Sequence, residues 1–172
     1  MVCLGILWNS MQNYLDEVFD DISCYGEIID YFTMNLGDDY EKFVRDIYSC
    51  DSIASWKVDK KIETMFKCTD SRKVTIVFIN MEMSKQEYHI FKKRMVYVNL
   101  ENMKINIREK YSQIVNPYFF DNVFHVSDDE NEFNQDYDIV NRYKDEYLVK
   151  EEKSKIKKNI KKGNNKWICK RE

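Results

Sequence analysis

Apolar and polar positions along the chain follow two periods in turn. Residues 2–8 form an unbroken apolar run ending in polar Asn9-Ser10, the pattern of a strand buried on both faces. Ser10 then precedes Met11, Tyr14, Leu15, Val18, Phe19 and Ile22, spaced three and four apart, which predicts a helix that Gly26 ends. Residues 27–36 read as a second strand. Asp38 or Asp39 caps a second helix through Phe43, Val44, Ile47 and Tyr48. Ser55 starts a third, with Trp56, Val58, Ile62, Met65 and Phe66 on one face.

The β-branched run 74–79 is the clearest strand in the chain. Ser84-Lys85-Gln86-Glu87 has the capping-box pattern, so a helix carrying Tyr88, Phe91 and Met95 is expected after it. A further helix spans residues 100–115 and ends at Pro117. Residues 118–126 read as a fourth strand interrupted by Asp121-Asn122. Ser127-Asp128-Asp129-Glu130 then marks a helix N-terminus. From Tyr137 the pattern stays helical through Ile160, thinning after Val149.

Strands alternating with helices predict one layered α/β domain over residues 1–143. The expected sheet is mostly parallel, has four or five strands and is flanked by helices. A basic helical tail over residues 144–172 completes the expectation.

Charge sharpens this division. The tail carries eleven Lys/Arg against five Asp/Glu, which leaves the first 143 residues at −9 within an overall −3. Such a body repels nucleic acid; the tail is the part suited to an acidic partner, a membrane surface or RNA. It can equally fold back onto the acidic body or stand solvated. One Pro and four Gly exclude collagen-like and low-complexity classes. Five widely spaced cysteines without a Cys-x-x-Cys pair point to reduced thiols and no structural zinc. No segment reaches the ~18 apolar residues of a membrane span, and a cytoplasmic location is expected.

Chemistry concentrates around residues 119–130. An apolar strand delivers His125 to its carboxyl end, where ligands of open α/β sheets bind. Backbone N–H groups of the following helix are suited to an anion. His125 serves there as general base, acid or phosphoryl acceptor, and Asp128 or Asp121 orients it or holds Mg²⁺. The plainer alternative makes Ser127 a cap, Asp128 and Asp129 dipole partners, and His125 a buried core residue. His89, the other histidine, reads as a surface helical residue. Gly-rich phosphate loops and a Gly-x-Ser-x-Gly elbow are absent.

The string Asn122-Val123-Phe124-His125-Val126-Ser127-Asp128 resembles the active-site loop of nucleoside diphosphate kinases. That likeness implies a phosphoryl-accepting His125, a sugar or phosphate contact from Asn122, and loop support from Ser127 and Asp128. It is confined to the loop. Val126 stands where that family has Gly, and Asn9-Ser10-Met11 where it has Lys-Pro-Asp. A looser resemblance covers residues 1–140, to small α/β proteins encoded with bacterial surface-polysaccharide and glycosyl-phosphate transfer genes. It is carried by Leu7-Trp8, Phe43, Ile47-Tyr48, Lys60 or Lys61, Ile107-Arg108, Tyr111, and the His125, Ser127-Asp128 turn with Glu132 after it. This implies a nucleotide or sugar-phosphate ligand, with Arg108 and Lys60 or Lys61 on phosphate oxygens. The expected function is therefore a transferase or a nucleotide/sugar-phosphate-binding protein. The alternative is a non-enzymatic interaction module that recruits a partner through acidic body and basic tail.

Overall fold

The computed structural model describes residues 1–50, 53–90 and 92–149; the basic tail from Lys150 onward lies outside them. Four strands form the main sheet: β1 (Val2–Leu7), β2 (Glu27–Asn35), β3 (Lys73–Asn80) and β6 (Phe124–Val126), in the order β2-β3-β1-β6. Every neighbouring pair is antiparallel, with Ile6 opposite Ile76 on one side and His125 on the other. A separate hairpin, β4 (Gln86–His89) with β5 (Arg94–Tyr97), stands apart from this sheet. Five helices complete the described chain: α1 (Leu15–Ser23), α2 (Tyr40–Ile47), α3 (Ser55–Cys68), α4 (Val98–Ser112) and α5 (Glu130–Tyr147).

The expectation of a mostly parallel sheet is overturned by this topology. The crossover from β1 through α1 to β2 does return a strand running the same way. It lands two places away, however, and β3 fills the gap in the opposite sense. The segment from β3 through α4 to β6 likewise skips over β1. This is a split β-α-β arrangement, ferredoxin-like in topology. Continuous apolar runs arise because both faces of this sheet are covered, which an antiparallel sheet permits although parallel sheets show it more often.

Leu4, Ile6, Phe32, Met34, Val74 and Ile76 face α2, α3 and α5, forming the first core layer. Cys3, Leu7, Val77, Ile79, Phe124 and Val126 face α1 and α4 and form the second. Gly5 sits at the tightest point of that second layer. A Cβ there would lie 2.8 Å from Val77 Cγ1 and 2.9 Å from a Phe124 ring carbon.

Residues 84–97 correct the expected helix. Tyr88 and Met95 are directly opposed across the hairpin, so they share a face without any helical turn. The Ser84 hydroxyl accepts from the Asn99 amide and the Asn99 side chain accepts from Ser84 N, so Ser84 serves the start of α4. The expected strand over 118–126 shrinks to Phe124–Val126, because Phe120 and Asp121 both adopt positive φ, 43° and 55°, which no strand accommodates. α5 crosses residue 143 and runs on to Tyr147. Beyond it Leu148 pairs with Met34 of β2 and Val149 N donates to Thr33 O. Among the described residues no helix is long and apolar enough to cross a membrane.

Candidate functional site

β6 is an edge strand fastened to β1 beyond both of its ends. The Trp8 amide donates to Val123 O, and the Ser127 amide donates to Leu4 O. Ser127 Oγ accepts from Leu4 N at 3.0 Å. Within this frame His125 points into the first core layer, while Phe124 and Val126 on either side point into the second. Asp129 caps α5 through Oδ1, which accepts from Glu132 N at 2.9 Å. Glu132 reaches back to accept from Asp128 N at 2.7 Å. Two of the amides at this helix start, those of Asp128 and Glu132, are thus already served by carboxylates of the same turn.

One turn beyond Glu132, Asp136 shares its face of α5 and meets His125. Nε2 of the imidazole lies 2.9 Å from Asp136 Oδ2, and the residues are 6% and 2% exposed. The Tyr48 ring stands edge-on to the imidazole, 5.6 Å between centroids at 80°. Lys61, 1% exposed, closes the other side of Tyr48. Its Nζ donates to Tyr48 Oη at 2.5 Å, Phe120 O at 3.1 Å and Asp121 O at 2.9 Å. Asp136 and Tyr48 therefore flank His125, and Lys61 stands behind Tyr48, inside an otherwise apolar layer.

The other residues drawn from the sequence lie elsewhere. Asn122 is fully buried. It donates to Pro117 O at 3.1 Å and accepts from Phe119 N at 3.2 Å, so it pins its own loop. Arg108 donates to Phe124 O at 3.1 Å and pairs with Asp121 at 3.0 Å, fastening α4 to that loop. Lys60 is exposed and pairs with Glu63 of its own helix. Asp128 is held by Lys104, by Arg94 and, at 3.3 Å, by Lys92. Burial pulls the Lys104 ammonium below the ordinary lysine range, with Lys92 and Arg108 adding to this and Glu101 and Glu132 opposing it. Asp128 and Asp121, the carboxylates expected to hold Mg²⁺, are thus both engaged by cations. His89 lies in β4, where its Nδ1 accepts from Lys92 N.

Sequence reasoning missed Asp136 and Tyr48. Asp136 carries a usable signal: it follows Glu132 by four residues, so the two share one helical face. For Lys60 against Lys61 the signal was also present. Lys61 lies on the Val58, Ile62, Met65 face and Lys60 does not. Tyr48, in the turn just after α2, had no such marker, since it meets His125 only in the packed first layer.

A second polar region opens where β1 ends. A cleft of about 370 Å³ is lined by Asn9, Ser10, Asn13, Thr69, Ser71 and Lys73 among others. Asn9 donates to Met65 O and Ser71 O, and its Oδ1 is buried without a partner among the described residues. No protein-family model matches this sequence, and no curated protein matches it either.

Proposed function

We propose that the protein is a transferase or binding protein for a small phosphorylated ligand, nucleotide or sugar phosphate, with His125 as its reacting group. The observation that carries this reading is the buried contact between His125 Nε2 and Asp136 Oδ2 at 2.9 Å. A carboxylate only accepts hydrogen bonds, so in a neutral imidazole this contact puts the ring proton on Nε2 and leaves Nδ1 with its lone pair. That pairing fixes both tautomer and ring orientation, which is what a general base requires. Asp136 takes the positioning role that the sequence reading gave to Asp128 or Asp121.

An anionic ligand is favoured by the cations gathered at the turn after β6. Lys92 and Arg94 come from the hairpin, and both reach Asp128. The Arg94 side chain is 44% exposed, so its planar fork can exchange Asp128 for a phosphate without a change in the core. Fold alone says nothing here, because split β-α-β domains carry many unrelated functions.

The test is thermal unfolding against nucleotides, nucleotide-sugars and sugar phosphates, with and without Mg²⁺. A ligand at 100 times its Kd stabilises by about 2.7 kcal/mol. The expected result is a shift in the wild type that Asp136→Asn and His125→Ala both lose while keeping their folded spectra. No shift across the panel ends this reading.

A second reading is an interaction module whose surface is the hairpin rather than the acidic body and basic tail expected from the sequence, most of that tail lying outside the described residues. Tyr88, Ile90 and Met95 are exposed on the hairpin, and aromatic and Met side chains are enriched in interface cores. It predicts that Tyr88→Ser with Met95→Ser abolishes partner capture and leaves the unfolding temperature unchanged.

A further inference from the structure

The geometry points to a divalent transition-metal site formed by His125, Glu132 and Asp136. One ligand atom from each lies within 4.8 Å of the other two. At metal–ligand bonds of about 2.1 Å, neighbouring ligands around an ion stand roughly 3.0–3.4 Å apart. The His125 to Asp136 separation of 2.9 Å is close to that spacing, and the Glu132 carboxylate lies within 4.8 Å of both. This inference rests on the reading of this site as one for a phosphorylated ligand, and it replaces the His125 base of that reading with an ion that His125 helps to hold.

The three donors come from rigid elements. His125 lies in β6, and Glu132 and Asp136 are one turn apart on α5. His125 and Asp136 are buried, whereas the Glu132 side chain is 18% exposed and marks the solvent side. Two covered ligands and one at the edge leave coordination positions facing outward, the arrangement of sites that bind water or substrate on the metal. The Asp128 amide bonded to Glu132 Oε2 orients that carboxylate from the outer shell, as second-layer partners of metal ligands do.

Charge and donor type select the ion. Two carboxylates and one imidazole favour Zn²⁺, Mn²⁺, Fe²⁺ or Co²⁺ over Mg²⁺, which prefers oxygen donors alone. Arg94 stands 3.9 Å from Glu132, so a phosphate bound there meets the ion on one side and a guanidinium on the other. Held by His125 Nε2 and the Asp136 and Glu132 carboxylates, such an ion would make His125 a ligand and would itself supply the Lewis acid that polarises a bound phosphate.

The experiment titrates the EDTA-treated full chain with Co²⁺, Zn²⁺ and Mg²⁺ separately. Calorimetry measures affinity and stoichiometry, and the Co²⁺ absorption spectrum reports ligand type. The expected result is one Co²⁺ or Zn²⁺ per chain with a nitrogen–oxygen spectrum and no thiolate band. Mg²⁺ should bind at least tenfold more weakly. His125→Asn, Glu132→Gln and the isosteric Asp136→Asn should each weaken Co²⁺ binding by tenfold or more, and Glu63→Gln should not. Co²⁺ binding indifferent to all three variants, a thiolate spectrum, or no binding overturns the site.

The metal-free protein, run against the phosphate-ligand panel, separates this failure from that of the functional reading. Ligand shifts lost in His125→Ala but retained in Glu132→Gln would keep the reading and remove the ion. Co²⁺ binding lost in all three variants, with no ligand shift in either metal-free or loaded protein, would keep the ion and remove the phosphorylated ligand.

Discussion

Lys61 holds the backbone of Asp121 in a left-handed conformation from inside the core. Its ammonium donates to Asp121 O at 2.9 Å and to the preceding carbonyl, Phe120 O, at 3.1 Å. Both of those residues have positive φ, which costs a side-chain-bearing residue energy unless its surroundings enforce it. The bent loop leads directly into β6, so a lysine on α3 sets where the His125 strand begins.

Removing that ammonium leaves two carbonyls and the Tyr48 hydroxyl short of a buried donor. Lys61→Ala should cost about 2–4 kcal/mol in urea unfolding. Its neighbour on the chain provides the contrast. Lys60→Ala touches only an exposed pair with Glu63 and should stay within about 0.5 kcal/mol. Equal losses for the two would remove the proposed role of Lys61 in shaping the loop.

Gly5 tests how closely the second layer is packed. A methyl group there would press on Val77 and Phe124, both in strands adjoining β1. Gly5→Ala should therefore destabilise by about 1–3 kcal/mol through overpacking. An unchanged unfolding midpoint would show that the layer yields freely.

The hairpin is fastened to α4 by charge, which makes its docking dependent on pH. Burial raises the Glu101 carboxyl, but the Lys92 hydrogen bond at 2.6 Å and the charges of Lys104 and Lys92 outweigh it and hold the group below its ordinary value. A depressed carboxyl contributes stability that is present above its unfolded value and lost as pH falls through its folded one. Lowering the pH from about 6 to about 3.5 should therefore speed hydrogen exchange in β4 and β5 ahead of β1 and β3. Glu101→Gln should flatten that dependence, and identical profiles for variant and wild type would refute the assignment.

Thiol labelling should sort the cysteines by burial. Burial pushes the Cys3 thiol up to about 11, and Cys24 is exposed. Alkylation at mild alkaline pH should modify Cys24 in the folded protein and reach Cys3 only under denaturant, as read by peptide mass. Early modification of Cys3 would mean that β1 opens far more readily than its place in the sheet allows.

Much of the local structure is legible in the residues. β3 spans Lys73–Asn80 around the β-branched run 74–79, α3 starts at Ser55, and α5 starts just after Asp129. Each is announced by its own period or cap. The hairpin is the instructive exception. Tyr88 and Met95, seven apart, fit one helical face as well as they fit opposite sides of a tight turn. Periodicity cannot separate the two when so few positions are apolar.

Strand direction belonged to the tertiary structure. Apolar runs report that both faces of a strand are covered, and no residue in β1 or β3 records which way its neighbour runs. The insertion of β3 between β1 and β2 decides it. The candidate site divides in the same way. His125 and the helix start after it were readable from local pattern, because strand, cap and turn are short-range features. Its pairing with Asp136 arises only when α5 folds back across the sheet, and the Lys61 and Tyr48 contacts only when α2 and α3 cover the same face. Contacts of that kind depend on which surfaces meet, and that is set by the packing of the whole layer rather than by any stretch of chain.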